Sequence, residues 1–229
     1  MDIARIEAAA KRLAGHARRT PLLSSPFLDE VAGRRVLVKA ECLQHTGSFK
    51  FRGAWSAISA LDPALRQRGV IAFSSGNHAQ GIAAAARLHG IPAVIVMPSD
   101  APAAKVAGTK GLGGEVVPYD RATEDRDEIG ARIAAERGLT LIKPFDEPEV
   151  IAGQGTCGLE IAEQAAEAGV SRADVLVCCG GGGLTSGIAL ALEATAPGLR
   201  VRPAEPEGFD DVKRSLATGE IARNAQLSG

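Results

Sequence analysis

Seven short runs rich in β-branched and other apolar residues recur along the chain, most of them separated by Ala-rich stretches of helical spacing. Val36-Leu37-Val38, Gly69 to Phe73, Ala93 to Met97, Glu115 to Tyr119, Leu139 to Ile142, Val175 to Cys179 and Leu199 to Ala204 each read as a strand. Strands that alternate with helices imply parallel pairing through right-handed crossovers, so the expected class is α/β, with open, doubly wound, mostly parallel sheets covered on both faces. An amphipathic helix precedes them: Ile3, Ile6, Ala10 and Leu13 share one side, and Pro21 follows its basic end, Arg18-Arg19. Gly/Pro-bearing junctions near Arg68-Gly69 and Lys143-Pro144 suggest two domains. The expected division is 1–68 plus 144–229 as a larger domain and 69–143 as a smaller one inserted into it.

Composition narrows the partner. With 229 residues, 45% of them hydrophobic, the chain can bury a substantial core. Its 26 basic and 27 acidic residues nearly cancel, and no Lys/Arg-rich run stands out, which favours a small-molecule partner over nucleic acid or a membrane surface. One Trp and one Tyr leave little for stacking on bases. Cys42, Cys157, Cys178 and Cys179 form no Cys-x-x-Cys pair and lie among apolar or small residues, as buried reduced thiols of a cytoplasmic protein would. Arg5, Glu7, Lys11 and Arg12 interrupt any leader-like apolar core, and Asp2 and Glu7 speak against an Arg-rich transit helix. No uncharged apolar run is long enough to cross a bilayer.

Three small-residue loops carry the chemistry, each at the mouth of a predicted helix, where open α/β sheets bind ligands. In Thr46-Gly47-Ser48-Phe49-Lys50-Phe51-Arg52-Gly53-Ala54, a lysine sits between two phenylalanines ahead of a helix beginning near Arg52. Desolvation and the positive helix end both favour its neutral, nucleophilic amine. A surface lysine packing its stem on aromatic rings is the plainer alternative. In Ser74-Ser75-Gly76-Asn77-His78-Ala79-Gln80-Gly81, backbone amides, two hydroxyls and a carboxamide make a cradle for a carboxylate, or else an ordinary helix cap. Gly180-Gly181-Gly182-Gly183-Leu184-Thr185 follows a strand and opens a helix, as a phosphate nest does. Gly181, Gly183 and Gly187, with Glu205 ending the next strand, also fit a dinucleotide-binding oxidoreductase that uses NAD. That alternative leaves Lys50 and the Ser75-Gly76-Asn77 loop unused.

In this order the three loops resemble the fold-type II pyridoxal-phosphate family, nearest the serine/threonine dehydratases, with serine racemase a close neighbour. Ser48 to Ala54 is similar to the family's cofactor-lysine motif and Ser74 to Gly81 to its substrate-carboxylate loop. Gly180 to Leu184 is similar to its phosphate loop, and Ile151-Ala152-Gly153-Gln154-Gly155-Thr156 to a further family segment. The resemblance spans essentially the whole chain. It implies the tryptophan synthase β-like fold and pyridoxal 5'-phosphate held by Lys50, which then serves as the base for the α-proton. It further implies Asn77 on the cofactor's ring hydroxyl, and Gly180, Gly181, Gly182, Gly183 and Leu184 on its phosphate. Ser75 and the amides of Gly76, Asn77 and His78 would bind the substrate carboxylate, with Ser75 as the opposite acid/base in racemase-like members.

The same resemblance implies a divalent cation, Mg²⁺ or Ca²⁺, on the Glu205 and Asp211 carboxylates and the Phe209 carbonyl; an exposed acidic turn is the alternative. It implies conversion of L-threonine or L-serine to a 2-oxo acid and ammonia, by a homodimer. Racemisation, or an inactive binding module that keeps the fold, are the alternatives. Family members continue beyond this length, so a C-terminally incomplete or shortened chain is expected. Its tail from Leu216 is small and polar, and no residue here is assigned to the pyridine nitrogen. Lys143 also departs from the usual residue before Pro144-Phe145-Asp146.

Overall fold

The computed structural model describes residues 1–224. Asp2 caps α1 (Ile3–Leu13) by accepting from the Arg5 amide at 3.0 Å, and Ile6, Ala9 and Leu13 form its buried stripe. An antiparallel ribbon follows: β1 (Leu22–Ser24) pairs with β2 (Leu37–Lys39) across α2 (Pro26–Ala32). The strand expected at Val36 to Val38 therefore exists one residue later but is not parallel. Its partner β1, only three residues long and next to Pro21, gives no alternation long enough to announce a strand.

Two 3₁₀ turns, Glu41–Leu43 and His45–Gly47, lead into α3 (Lys50–Ala60) and then α4 (Pro63–Arg68). The next unit is a four-stranded parallel sheet in the order β5-β4-β3-β6. It comprises β3 (Val70–Phe73), β4 (Ala93–Pro98), β5 (Glu115–Tyr119) and β6 (Thr140–Leu141), joined through α5 (Asn77–His89), α6 (Ala103–Gly111) and α7 (Arg126–Arg137). The central strands β3 and β4 are nearly continuous apolar runs with helices on both sides, hence buried throughout. After α8 (Pro148–Glu167) come β7 (Ala173–Cys178), α9 (Gly183–Thr195), β8 (Leu199–Ala204) and α10 (Asp211–Thr218).

The two parallel strands β7 and β8 form a sheet of their own. It is covered mainly on the α9 side. Inward positions are partly or fully buried and alternate with exposed ones, Leu176 being 78% exposed, so among the described residues this sheet is covered on one face rather than both. The polar tail read from Leu216 is helical to Thr218, and its last five residues, 225–229, lie outside the described residues.

The main core joins α3, α5, β3 and β4. Phe51, Ile58, Ile82, Ile95 and Met97 are all buried in it, together with Val150 from α8. A second cluster, with Cys157, Ile161, Ile188 and Leu192, binds α8 to α9. Where those helices cross, an added Cβ on Gly187 would lie 2.6 Å from the Ile151 carbonyl oxygen, so α9 rests on α8 backbone to backbone. This close approach fixes the start of α9, and the glycine run before it, beside α8 and Lys50.

Candidate active site

Lys50 is the first residue of α3, not a residue ahead of it. The turn that delivers it is strained: Thr46, β-branched, adopts φ 60° and ψ 15°, a left-handed conformation rare for such side chains. The Lys50 Nζ donates to the Pro144 carbonyl oxygen at 2.6 Å and lies 5.3 Å from the Phe49 ring centroid. Phe51, the other flanking ring, is instead fully buried against His45 and Trp55. Burial pulls the Lys50 amine down to about 8, against a weaker opposing influence of Cys178.

The sign of the pH effect follows. Burial penalises the charged form, so half of the amine is neutral near pH 8 rather than near the unperturbed value of about 10.4. Condensation of Lys50 with an aldehyde should accelerate as pH rises through about 8 and level off above it. A pH–rate profile followed by absorbance checks this; a midpoint above about 10 would show an ordinary, solvated lysine.

Lys50 and the glycine run line one cavity of about 470 Å³, within the range of small-molecule sites. Gly180, Gly181, Gly182, Gly183 and Leu184 form one wall; Phe49, Phe145, Gln154 and Cys178 complete it around Lys50. Gly182 caps α9 at φ 80°, which turns the backbone so that the first amides of the helix face an incoming anion. A Cβ on Gly181 would fall 2.2 Å from the Phe145 ring, so the ring closes over the loop only because that residue lacks a side chain.

The second loop reaches Lys50 from another side. Ser75, Gly76, Asn77 and His78 are not part of that cavity's wall. Even so, α5 packs directly on the lysine's backbone: a Cβ on Gly81 would lie 3.1 Å from the Lys50 carbonyl carbon. Asn77 opens α5 and is exposed, next to the half-buried Ser75 and Gly76. His78 follows it on the helix, and its ring Nε2–H donates to the Ile142 carbonyl at 3.1 Å. Burial, aided by the charge of Lys50, lowers its pKa to about 4 despite that hydrogen bond. The ring is therefore neutral, and its Nδ1 is a bare acceptor with no partner.

Unpartnered buried polar atoms concentrate here. Of seven such side-chain atoms among the described residues, five belong to Thr46, Ser48, His78 and Gln154. Folded proteins satisfy nearly all buried polar groups, so such a concentration marks where a ligand belongs. Phe145, Gln154 and Cys178, which line the cavity, are not among the site residues expected from sequence. Only Gln154 carries a legible signal, a polar residue amid small and apolar neighbours of α8. Cys178, expected to be buried, is exposed where β7 opens into the cavity, and Cys42 is exposed on its 3₁₀ turn; Cys157 and Cys179 are buried.

Glu205, Phe209 and Asp211 follow β8, at the edge of the site. The Glu205 carboxylate accepts from the amides of Val212 (3.0 Å) and Lys213 (2.9 Å) and so anchors the start of α10. Asp211 accepts from the Asn224 side chain at 2.7 Å. Both acids are engaged in holding α10, and no cluster of three or more His, Cys, Asp or Glu able to hold a metal occurs among the described residues.

The family model described as pyridoxal-phosphate dependent enzyme matches residues 13–227. The chain is 54% identical over 214 residues to an L-threo-3-hydroxyaspartate ammonia-lyase of a Pseudomonas species, covering 93% of this chain and 66% of that one. It is 47% identical to a serine racemase of Schizosaccharomyces pombe, covering 94% and 66%. Among solved structures, a maize serine racemase superimposes with a TM-score of 0.93 at 42% identity, over 99% of this chain and 68% of that one. A crystal structure of a threonine deaminase superimposes with a TM-score of 0.92 at 47% identity, over 99% and 72%. The chain thus spans about two thirds of the length of the curated relatives it matches. The chain accordingly belongs to the fold-type II pyridoxal-phosphate-dependent enzymes, whose relatives include ammonia-lyases and racemases of hydroxy amino acids.

Proposed function

We propose that this chain acts as a pyridoxal-phosphate-dependent ammonia-lyase, removing the β-hydroxyl of a small L-hydroxy amino acid to give a 2-oxo acid and ammonia. The observation that carries the reading is the Lys50 amine, lowered to about 8, sharing a cavity with Gly180 to Leu184. The bound cofactor supplies an electron sink for the carbanion left when the α-proton departs. In this reading Lys50 carries the cofactor and takes that proton on Nζ. The amides at the start of α9 hold the phosphate, and Asn77 holds the ring hydroxyl.

Ser75 and the amides of Gly76, Asn77 and His78 orient the substrate carboxylate at the head of α5. The hydroxyl then leaves as water, which requires a proton from a neighbouring donor such as a serine hydroxyl, and the released enamine takes up water again as it hydrolyses to the 2-oxo acid and ammonia. Residues 69–143 form the small substrate-binding domain in this reading, and 1–68 with 144–229 the large cofactor-binding one. A homodimer in the reducing cytoplasm suits the free thiols Cys42 and Cys178. No step is routed through a metal.

Lys105 bears on the substrate. It lies on α6 and is exposed, makes no ion pair among the described residues, and has its Nζ 3.9 Å from where a Gly76 Cβ would stand. A cation beside the carboxylate-binding loop suits a substrate with a second carboxylate. This favours 3-hydroxyaspartate over serine and threonine, in line with the named activity of the Pseudomonas relative. Lys105→Gln should raise KM for L-threo-3-hydroxyaspartate about tenfold and leave KM for L-serine within about twofold, since one charge-assisted contact is lost for the dicarboxylate alone. Equal effects on both substrates contradict the assignment.

Racemisation is the second reading. In that reading the Ser75 hydroxyl, half-buried and without a hydrogen bond within the protein among the described residues, is the acid/base opposite Lys50. Chiral analysis separates the two: a 2-oxo acid marks elimination and a D-amino acid marks racemisation. Neither product from any of the three substrates would refute the proposal.

A further inference from the structure

Gln154 is 0% exposed, sits in α8, and has neither a donor for its Oε1 nor an acceptor for its Nε2. A carboxamide buried in this state loses its hydration with nothing in return, a cost that sequences ordinarily avoid. Its surroundings explain why it is tolerated. The amide is wedged between α3 and the head of α9: a Cβ on Gly53 would lie 3.1 Å from Nε2, and one on Gly183 would lie 3.0 Å from Oε1. It also lines the cavity shared by Lys50 and the glycine nest. No protein hydrogen bond fixes which end of the amide faces the nest, so either can turn toward a ligand there.

We infer that Gln154 is a phosphate-positioning residue, whose carboxamide NH₂ donates to the anion seated on Gly180 to Gly183 and is satisfied only when that anion is bound. The inference rests on reading the cavity as a pyridoxal-phosphate site and adds to it a side-chain donor beneath an otherwise backbone-only nest. It makes Gln154 costly in the empty protein and favourable in the loaded one. A residue that merely packs α8 against α9 would behave in the opposite way.

Gln154→Met, close in volume and without polar hydrogens, separates the two. The ligand-free variant should melt about 2–4 °C above the parent chain, because an unsatisfied buried amide is gone. Its affinity for pyridoxal phosphate and for inorganic phosphate should fall about tenfold or more, the worth of one hydrogen bond to a charged group, while pyridoxal lacking the phosphate binds equally to both. Gln154→Glu, which sets a carboxylate against the anion, should lose phosphate binding more steeply, and it serves as the comparison should the Met variant not fold. Unchanged phosphate affinity in either variant overturns the inference, as does an equal loss for pyridoxal. If the parent chain binds inorganic phosphate but never pyridoxal phosphate, the cofactor reading fails while the phosphate comparison still decides the role of Gln154. If it binds neither, both fail.

Discussion

Lys50→Ala is expected to lower turnover by at least about 10³-fold and to abolish the visible absorbance of the protein loaded with pyridoxal phosphate. Two proposed functions would end together: the covalent anchor of the cofactor and the base that takes the α-proton. The variant should nevertheless fold. Among the described residues the Lys50 side chain makes a single protein hydrogen bond, to the Pro144 carbonyl, and the buried core of α3 begins at Phe51. Affinity for inorganic phosphate should survive, because the amides of Gly180 to Gly183 do not depend on the lysine. Retained colour and turnover would move the chemistry to another residue; loss of phosphate binding as well would indicate that the variant had collapsed the cavity.

The second large effect is on stability. Arg52, only 1% exposed, fits its guanidinium between two carboxylates. It meets Glu41 through Nε and Nη2, both at 2.8 Å, and Glu160 through Nη1 at 2.6 Å and Nη2 at 2.9 Å. Burial would disfavour its charge, but the hydrogen bonds from both acids outweigh this and leave Arg52 more strongly protonated than usual. The Glu41 carboxyl is pushed up by burial, yet held below its ordinary range by Arg52, with Thr20 and Lys39 assisting. Arg52→Ala leaves Glu41 without its ion-pair partner and Glu160 with Lys39 alone, and should destabilise the chain by about 3–5 kcal/mol, a large part of the roughly 5–15 kcal/mol of a typical domain.

Urea unfolding at pH 7 measures that loss. The depressed pKa of Glu41 means that its contribution is present above the ordinary carboxylate range and fades as pH falls through the lowered value. The gap between parent and variant should therefore narrow in acid. A gap that stays constant with pH would assign the loss to packing of the Arg52 stem rather than to the ion pairs.

Much of this architecture is legible in sequence because its signals are periodic and local. Uninterrupted apolar runs such as Val70-Ile71-Ala72 and Val94-Ile95-Val96 demand burial on both sides, and the structure puts them at the centre of the parallel sheet. What escapes is whatever depends on distant partners. The antiparallel pairing of β2 is set by β1 across a helix, and Phe51 points away from the lysine it flanks in sequence, into the core with Trp55. The glycine run is legible as a tight backbone turn that opens a helix, because successive glycines leave few other uses. That Phe145 and Gln154 stand over it is not, since only the crossing of α8 and α9 brings them there. The contacts of Glu205 and Asp211 escape in the same way: the two acids accept from the Val212 and Lys213 amides and from the Asn224 side chain, partners that only the fold brings to them.

The central claim is that one amine, at residue 50, forms the bond to the cofactor. Loading the chain with pyridoxal phosphate, reducing it with borohydride and mapping the tagged peptide by mass spectrometry tests this directly. The predicted result is a single pyridoxyl label on Lys50, formed more readily as pH rises through about 8. A label on Lys105 or Lys143 in its place, or scattered over surface lysines with Lys50 unmodified, would contradict it.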